Sequence, residues 1–304
     1  MNAGFVEVDW AGRRVRLEVA WVGCDGGEVE RGGAGGEGGG GASPGATVPL
    51  IVFLHEGLGS VAMWRDFPER LCRAVGAQGL VYSRPGYGRS TPREAGEHWA
   101  PDFMHRQALE VLPALLEAVR REGRWRAGQP LWLFGHSDGG SIALLHAAHA
   151  HAQSQPLALA TPAGIILLAP HILVEDLSIA SIEKAREAYR ASDLRARLAR
   201  YHDAPDSAFW GWNDAWLSPA FRSWSIEAEL ASIRCPVLAM QGLDDEYGTL
   251  EQIRGIARRV RDTRLLEIPQ CGHSPHRDQP GVVIDAVAAF MLQPNVEPSR
   301  AAPC

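Results

Sequence analysis

The sequence predicts an α/β protein: a mostly parallel central sheet with helices on both faces, interrupted late in the chain by a helical insertion. Three observations predict it. Short, wholly apolar runs at residues 50–55, 131–134 and 164–169 have the length and β-rich composition of strands buried on both faces. Segments with apolar residues at helical spacing alternate with these runs, the rhythm of an open parallel sheet whose ligand crevice lies beyond the carboxyl ends of the strands. Between 171 and 234 that rhythm gives way to helix-forming sequence without a strand-like run.

The elements follow in order. Residues 5–10 and 13–22 alternate apolar and polar side chains about Ala11-Gly12, which predicts an antiparallel hairpin at a sheet edge. Residues 23–47, GCDGGEVERGGAGGEGGGGASPGAT, carry too little apolar surface to offset chain entropy and predict a flexible excursion. The segment has no G-K-[ST] end and opens no helix, so it does not read as a phosphate loop. The run LIVFLH at 50–55 ends in HEGLGS, a loop of small residues able to turn backbone N–H groups toward a reacting carbonyl. A helix over 67–75 opens after Asp66 with Pro68 in its first turn. A strand at 79–82 leads into the loop SRPGYGRS. Asp102 is positioned to cap a long amphipathic helix carrying Leu109, Leu112, Leu116 and Val119, in which Pro113 predicts a kink or a late start.

The stretch PLWLFGHSDGGSIALLHAA, residues 130–148, is the centre of the chain. An apolar β-type run breaks at Gly135-His136-Ser137-Asp138-Gly139 and resumes at helical spacing with Ile142, Leu144 and Leu145. A serine on a sharp strand-to-helix turn stands clear of the sheet as a nucleophile, and the flanking glycines admit close backbone approach. The strand at 164–169 delivers Pro170 and His171 to the same rim. After the insertion, which carries Trp210, Trp212, Trp216 and Trp224, come a strand at 237–241, the loop GLDDEYGT, a helix at 250–260, a strand at 264–268, the loop PQCGHSPHRDQP and a helix at 282–291. The expected organisation is a core of 1–170 and 235–293, a helical lid of 171–234 and a tail of 294–304.

Composition narrows the function. The 304 residues are 46% hydrophobic and 22% charged with a formal net charge of −6, which favours neither nucleic acid nor an anionic membrane as partner and leaves a small molecule. Five scattered cysteines lack C-x-x-C spacing and predict neither a disulfide framework nor a zinc site. The N-terminal stretch lacks a signal peptide's order and no apolar run reaches the ~20 residues of a membrane helix, so a cytoplasmic protein is expected. No cofactor and no metal are expected; His146, His149 and His151 read as exposed histidines on an Ala-rich helix. The oligomeric state is not readable.

A serine alkoxide needs a base, and the base needs an acid to hold its tautomer. Asp244 or Asp245 follows the strand ending in Gln241, and His273 lies in a turn after the final strand, giving the chain order Ser, Asp, His. With His55-Glu56-Gly57-Leu58-Gly59, Pro85-Gly86-Tyr87-Gly88-Arg89-Ser90, Gly135-His136-Ser137-Asp138-Gly139, Gly242-Leu243-Asp244-Asp245 and Gly272-His273-Ser274-Pro275 in that order, the chain resembles the α/β-hydrolase superfamily with a helical lid, from Leu50 to Met291. The resemblance implies Ser137 as nucleophile, His273 as base and then acid, Asp245 rather than Asp244 as the orienting carboxylate, and the amides of Gly57 and Asp138 as an oxyanion hole. It departs from the family at Glu56, where glycine is common. That carboxylate is expected either to turn away, toward Arg84 or Arg89, or to meet a cationic substrate group. It departs again at Ser83, where related loops carry an acid.

Trp64, His171, Trp210 and Trp212, with Glu56, are the expected substrate contacts. The expected reaction is serine hydrolysis of a small carboxylic ester, thioester or related acyl substrate. The alternatives are a carbon–carbon bond hydrolase of ring-cleavage products, with Arg65, Arg84 or Arg89 holding a substrate carboxylate, and a non-catalytic ligand-binding member of the fold.

Overall fold

The computed structural model describes residues 2–23, 47–151 and 160–292. Residues 24–46, nearly all of the predicted flexible excursion, and the tail 294–304 lie outside the described residues.

Eight strands form one sheet in the order β1-β2-β4-β3-β5-β6-β7-β8. They are β1 (Asn2–Trp10), β2 (Arg13–Gly23), β3 (Leu50–Leu54), β4 (Gln78–Tyr82), β5 (Leu131–His136), β6 (Gly164–Leu168), β7 (Val237–Gly242) and β8 (Thr263–Ile268). The hairpin β1–β2 is antiparallel, β2 runs antiparallel to β4, and every later pairing is parallel. All five residues of β3 and of β6 are buried, as runs without polar alternation require when helices cover both faces.

The period of two along each strand divides the interior into two cores. On one face Ile51, Phe53, Phe134, Ile166 and Met240 meet Phe67 and Leu71 of α1 (Phe67–Val75) and Val283, Val287 and Phe290 of the C-terminal helix. On the other, Leu50, Val52, Leu54, Leu133 and Leu167 meet Met104, Leu112, Leu115, Ile142 and Leu145. Around Pro113 the helix is broken into three segments. A short α2 (Phe103–Arg106) runs through a π-helical turn, Gln107–Val111, into α3 (Leu112–Arg121), whose second residue is Pro113. The proline has no N–H to complete the α ladder, and the wider turn just before it absorbs the defect. Asp66 and Asp102 stand at their helix starts but neither side chain caps, a correction to the expected role.

Helix α4 (Asp138–His149) follows β5 directly. His146 on it is not exposed, as expected, but fully buried, its ring nitrogens 3.0 Å from the Ala108 carbonyl and 2.9 Å from that of Ala160. His149 and His105 instead share Glu229, at 2.6 and 3.0 Å.

Between β6 and β7 lie α5 (Asp176–Ala191), α6 (Leu194–Leu198), α7 (Pro205–Trp216) and two short 3₁₀ turns. Side chains on these helices tie them to the loops at the carboxyl ends of the strands. Ser178 and Ser181 donate to the carbonyls of Tyr247 and Glu246. His202 accepts from the Gly88 amide at 2.9 Å, which leaves its other nitrogen protonated to donate to the Leu58 carbonyl at 3.0 Å. After β7 come α8 (Glu251–Arg259), β8, α9 (Pro275–Asp278) and α10 (Pro280–Leu292). No helix among the described residues is long and apolar enough to cross a membrane.

Candidate active site

Ser137 occupies the one residue between β5 and α4, at φ 53°. A non-glycine residue holds that left-handed backbone only when its surroundings over-determine it. Here they do: a Cβ on Gly139 would overlap the Leu54 carbonyl oxygen, so only glycine lets the helix start this close to the sheet. The turn lifts the Ser137 hydroxyl off the sheet toward the loops that end β3, β7 and β8.

Three side chains from separate turns converge there. Ser137 Oγ lies 2.9 Å from His273 Nε2, and His273 Nδ1 lies 2.8 Å from Asp245 Oδ1. Asp245 is held on every side. Its Oδ1 also accepts from the Tyr247 amide at 2.8 Å, and its Oδ2 from Gln241 Nε2 at 3.0 Å. Burial would raise this carboxyl, yet the hydrogen bond and charge of His273 bring it below the ordinary carboxylate value. A carboxylate can only accept, so Nδ1 carries the proton and Nε2 faces the serine with a lone pair. Asp244 is exposed and takes no part.

The His273 backbone is pinned as well. Its amide donates to Glu246 Oε2 at 3.2 Å, and its carbonyl accepts from His136 Nε2 at 2.7 Å. Glu56 completes this second network without turning to Arg84 or Arg89 as expected. Its carboxylate lies 3.3 Å from Arg277 Nη2 and 3.4 Å from His136 Nδ1, curled back over Gly59. Against the cost of burial, His136 and Arg277 hold it well below the usual carboxylate range.

Among the described residues the amides of Gly57 and Asp138 donate to no carbonyl or side chain, and Asp138 is the first residue of α4, where helical N–H groups have no partner within the helix. The Asp138 side chain is buried beside them. Burial pushes its carboxyl up, opposed chiefly by Arg84, whose Nη2 lies 3.7 Å from Oδ2, and by Trp216 Nε1, which donates to Oδ1 at 3.1 Å.

The loop holding Arg84 needed an acid that its own sequence lacks at Ser83. Glu18 of β2 supplies it: Oε2 accepts from Ser83 Oγ at 2.7 Å and from the Arg89 amide at 3.0 Å. Nothing in the alternation of the hairpin distinguished Glu18 from a solvent-facing residue; only the 5% exposure of its side chain does.

A cavity of about 160 Å³ opens over Ser137. Its wall contains Glu56, Gly57, Asp138, His171 and Trp212 of the expected residues, and Leu58, Ile182, Trp216, Glu246 and Tyr247, which sequence reasoning missed. Tyr247, two residues past Asp245, was reachable from the motif; its ring lies 4.7 Å from that of His273. Two expected contacts are elsewhere. Trp64 is buried in the core under the sheet, among Phe53, Phe67, Phe134 and His276. Trp210 packs within the insertion against Tyr189 and Arg190 of α5, away from the cavity, because residues two apart on a helix face opposite sides. Trp212 and Trp216, four apart, share the inner face. His171 is buried and uncharged, its imidazole lowered to about 3 by burial and by His273.

A sequence model of the alpha/beta hydrolase family matches residues 51–286. No curated protein matches the chain. Solved structures share its fold at low identity: a proline iminopeptidase of Mycobacterium smegmatis (TM-score 0.65, 16% identity, covering 95% of this chain and 97% of the other), a thermophilic esterase of Thermogutta terrifontis (0.63, 16%, 96% and 98%) and a hydrolase of Pseudomonas aeruginosa (0.63, 19%, 96% and 99%).

Proposed function

Because this chain belongs to the alpha/beta hydrolase family and is a hydrolytic enzyme, we propose that it is a serine hydrolase cleaving a small carboxylic ester or thioester through Ser137, His273 and Asp245. The observation that carries the reading is the unbroken relay of 2.9 and 2.8 Å from serine through imidazole to carboxylate. In the reaction, His273 Nε2 takes the Ser137 proton as Oγ adds to the substrate carbonyl. The charge that develops on the carbonyl oxygen is met by the amides of Gly57 and Asp138. Collapse expels the alcohol or thiol with the proton held on His273, leaving an acyl-serine. A water that gives its proton to His273 then releases the acid and restores Ser137.

The cavity supports the choice of substrate. Its volume of about 160 Å³ suits one six-membered ring, since a protein cavity of roughly 150 Å³ holds benzene. Trp212, Trp216, Tyr247, Ile182 and Leu58 give it apolar walls. The carbon–carbon reading requires a cation for the substrate carboxylate, and the expected arginines do not reach the cavity. Arg84 is fully buried against Asp138, Arg89 stands over Phe5, and Arg65 is exposed. The ionisable side chains that line the cavity besides its histidines and tyrosine are Glu56, Asp138 and Glu246, which offer such a substrate no cation. As an esterase lid, the segment 171–234 closes the cavity from above, and the core is 1–170 with 235–293.

Hydrolysis of p-nitrophenyl benzoate, set beside a vinylogous diketo acid, tests the reading. Ester cleavage and fluorophosphonate labelling are expected in the wild type, and neither in Ser137→Ala. Turnover of the diketo acid alone rejects the esterase. A folded protein that turns over neither substrate and takes no label is a binding member of the fold.

A further inference from the structure

We propose that the indole N–H of Trp212 is a third oxyanion donor, contributed by the insertion. The proposal rests on the esterase reading of the same site.

Two tryptophans of α7 face the cavity, and their N–H groups have different fates. Trp216 Nε1 is committed to Asp138 Oδ1. Trp212 Nε1 donates to nothing among the described residues, although the residue is buried and lines the cavity. Buried indole N–H groups normally find an acceptor. It is also absent from the donors sealed away from contact, a group that includes the indoles of Trp21, Trp64 and Trp224. Its N–H is therefore reachable from the cavity.

The place it occupies is specific. A Cβ built on Gly57 would overlap the Nε1, Cδ1 and Cε2 atoms of Trp212. The nitrogen-bearing edge of the indole is thus in contact with the residue whose amide is the proposed oxyanion donor. Gly57 is glycine because that edge takes the space of a side chain. When Ser137 Oγ bonds to the carbonyl carbon and the π electrons move onto oxygen, that oxygen sits beside Gly57. The uncommitted N–H next to it then acquires an acceptor that is stronger in the transition state than in the ground state. The donor belongs to α7, not to the sheet, so the oxyanion hole is complete only while the insertion is seated on the core.

The test replaces Trp212 with 3-benzothienylalanine, which keeps the bicyclic shape and exchanges N–H for sulfur, and separately with Phe. On p-nitrophenyl benzoate, kcat is expected to fall about 10- to 100-fold in both variants with KM changed by less than about threefold, the signature of a transition-state donor. Inhibition by phenylboronic acid, whose tetrahedral adduct on Ser137 presents an oxygen to the same donors, is expected to weaken by a similar factor. Wild-type kcat and boronate affinity in the benzothienyl protein overturn the proposal, even if Trp212→Phe is impaired, because shape alone would then explain the loss. Fluorophosphonate labelling of Ser137 in the wild type separates the two readings. Labelling with an unimpaired benzothienyl variant rejects only the Trp212 donor; absence of labelling rejects the esterase and the donor together.

Discussion

In the proposed mechanism Asp245 decides which nitrogen of His273 would serve as the base, and the hydrogen bonds around the carboxylate fix its position. With Tyr247 and Gln241 also donating to it, the side chain cannot rotate without losing several hydrogen bonds at once. Asp245→Asn keeps the shape but presents an amide that can donate to Nδ1, which favours the wrong tautomer. It is expected to lower kcat by roughly 10³- to 10⁴-fold with circular dichroism unchanged. His273→Ala is expected to lower turnover at least about a thousandfold in the same assay, and a smaller loss in either would reassign the base. These positions were readable in the sequence because each closes a strand within a short motif: the chain itself carries Ser137, Asp245 and His273 to one rim. Glu56 was readable as an anomaly but not as a partner of Arg277, which lies 221 residues away and has no local signal.

The insertion is where element-level reasoning ran out. Helix-forming sequence announced α5, α6 and α7, but a helix with apolar residues around its circumference does not tell which side meets the core. Trp210 and Trp212 read alike in the sequence and are separated only by helical phase. The same limit hid His202. It stands between α6 and α7, it is 3% exposed, and its two hydrogen bonds join the loop at Gly88 to the loop at Leu58. His202→Ala removes the acceptor of a buried amide and the donor to a buried carbonyl. It is expected to cost about 2–4 kcal/mol, seen as a lower midpoint in urea with an unchanged slope. It is expected to impair ester hydrolysis too, since Leu58 adjoins Gly57. Conversely, the strands of the sheet were placed within a few residues. A wholly apolar run of five or six residues between turn signals has few alternatives in a doubly covered sheet.

Across the whole molecule the unusual feature is the number of buried histidines. His55, His146, His171, His202 and His276 are all held below the ordinary imidazole value, in each case chiefly by burial. A group whose folded-state pKa is depressed contributes stability above its unfolded pKa and loses it as pH falls toward the folded one. The unfolded value is about 6.5, and that of folded His171 is about 3. Unfolding free energy is therefore expected to decline from about pH 6.5 downward, before the carboxylates begin to titrate. Urea denaturation at intervals from pH 8 to pH 4 checks this, and a flat profile down to pH 5 would contradict it. Sequence showed the histidines but not their burial, which depends on neighbours from about a dozen to about two hundred positions away. The mostly parallel sheet, by contrast, was legible from short apolar runs alternating with helical segments.

The first hairpin looks like trim at the margin of the sheet, and the stretch shared with the family begins only after it, at residue 51. Yet Glu18 seats the turn from Ser83 to Ser90, its carboxylate accepting from the Ser83 hydroxyl and the Arg89 amide and its own amide donating to Ser90 Oγ. A protein cut back to its common portion would keep Ser137, His273 and Asp245 while losing the acceptor that holds Ser83 and Arg89, the residues on either side of the turn that carries Arg84. For anyone shortening this enzyme to a minimal scaffold, the dispensable-looking leader is a keystone.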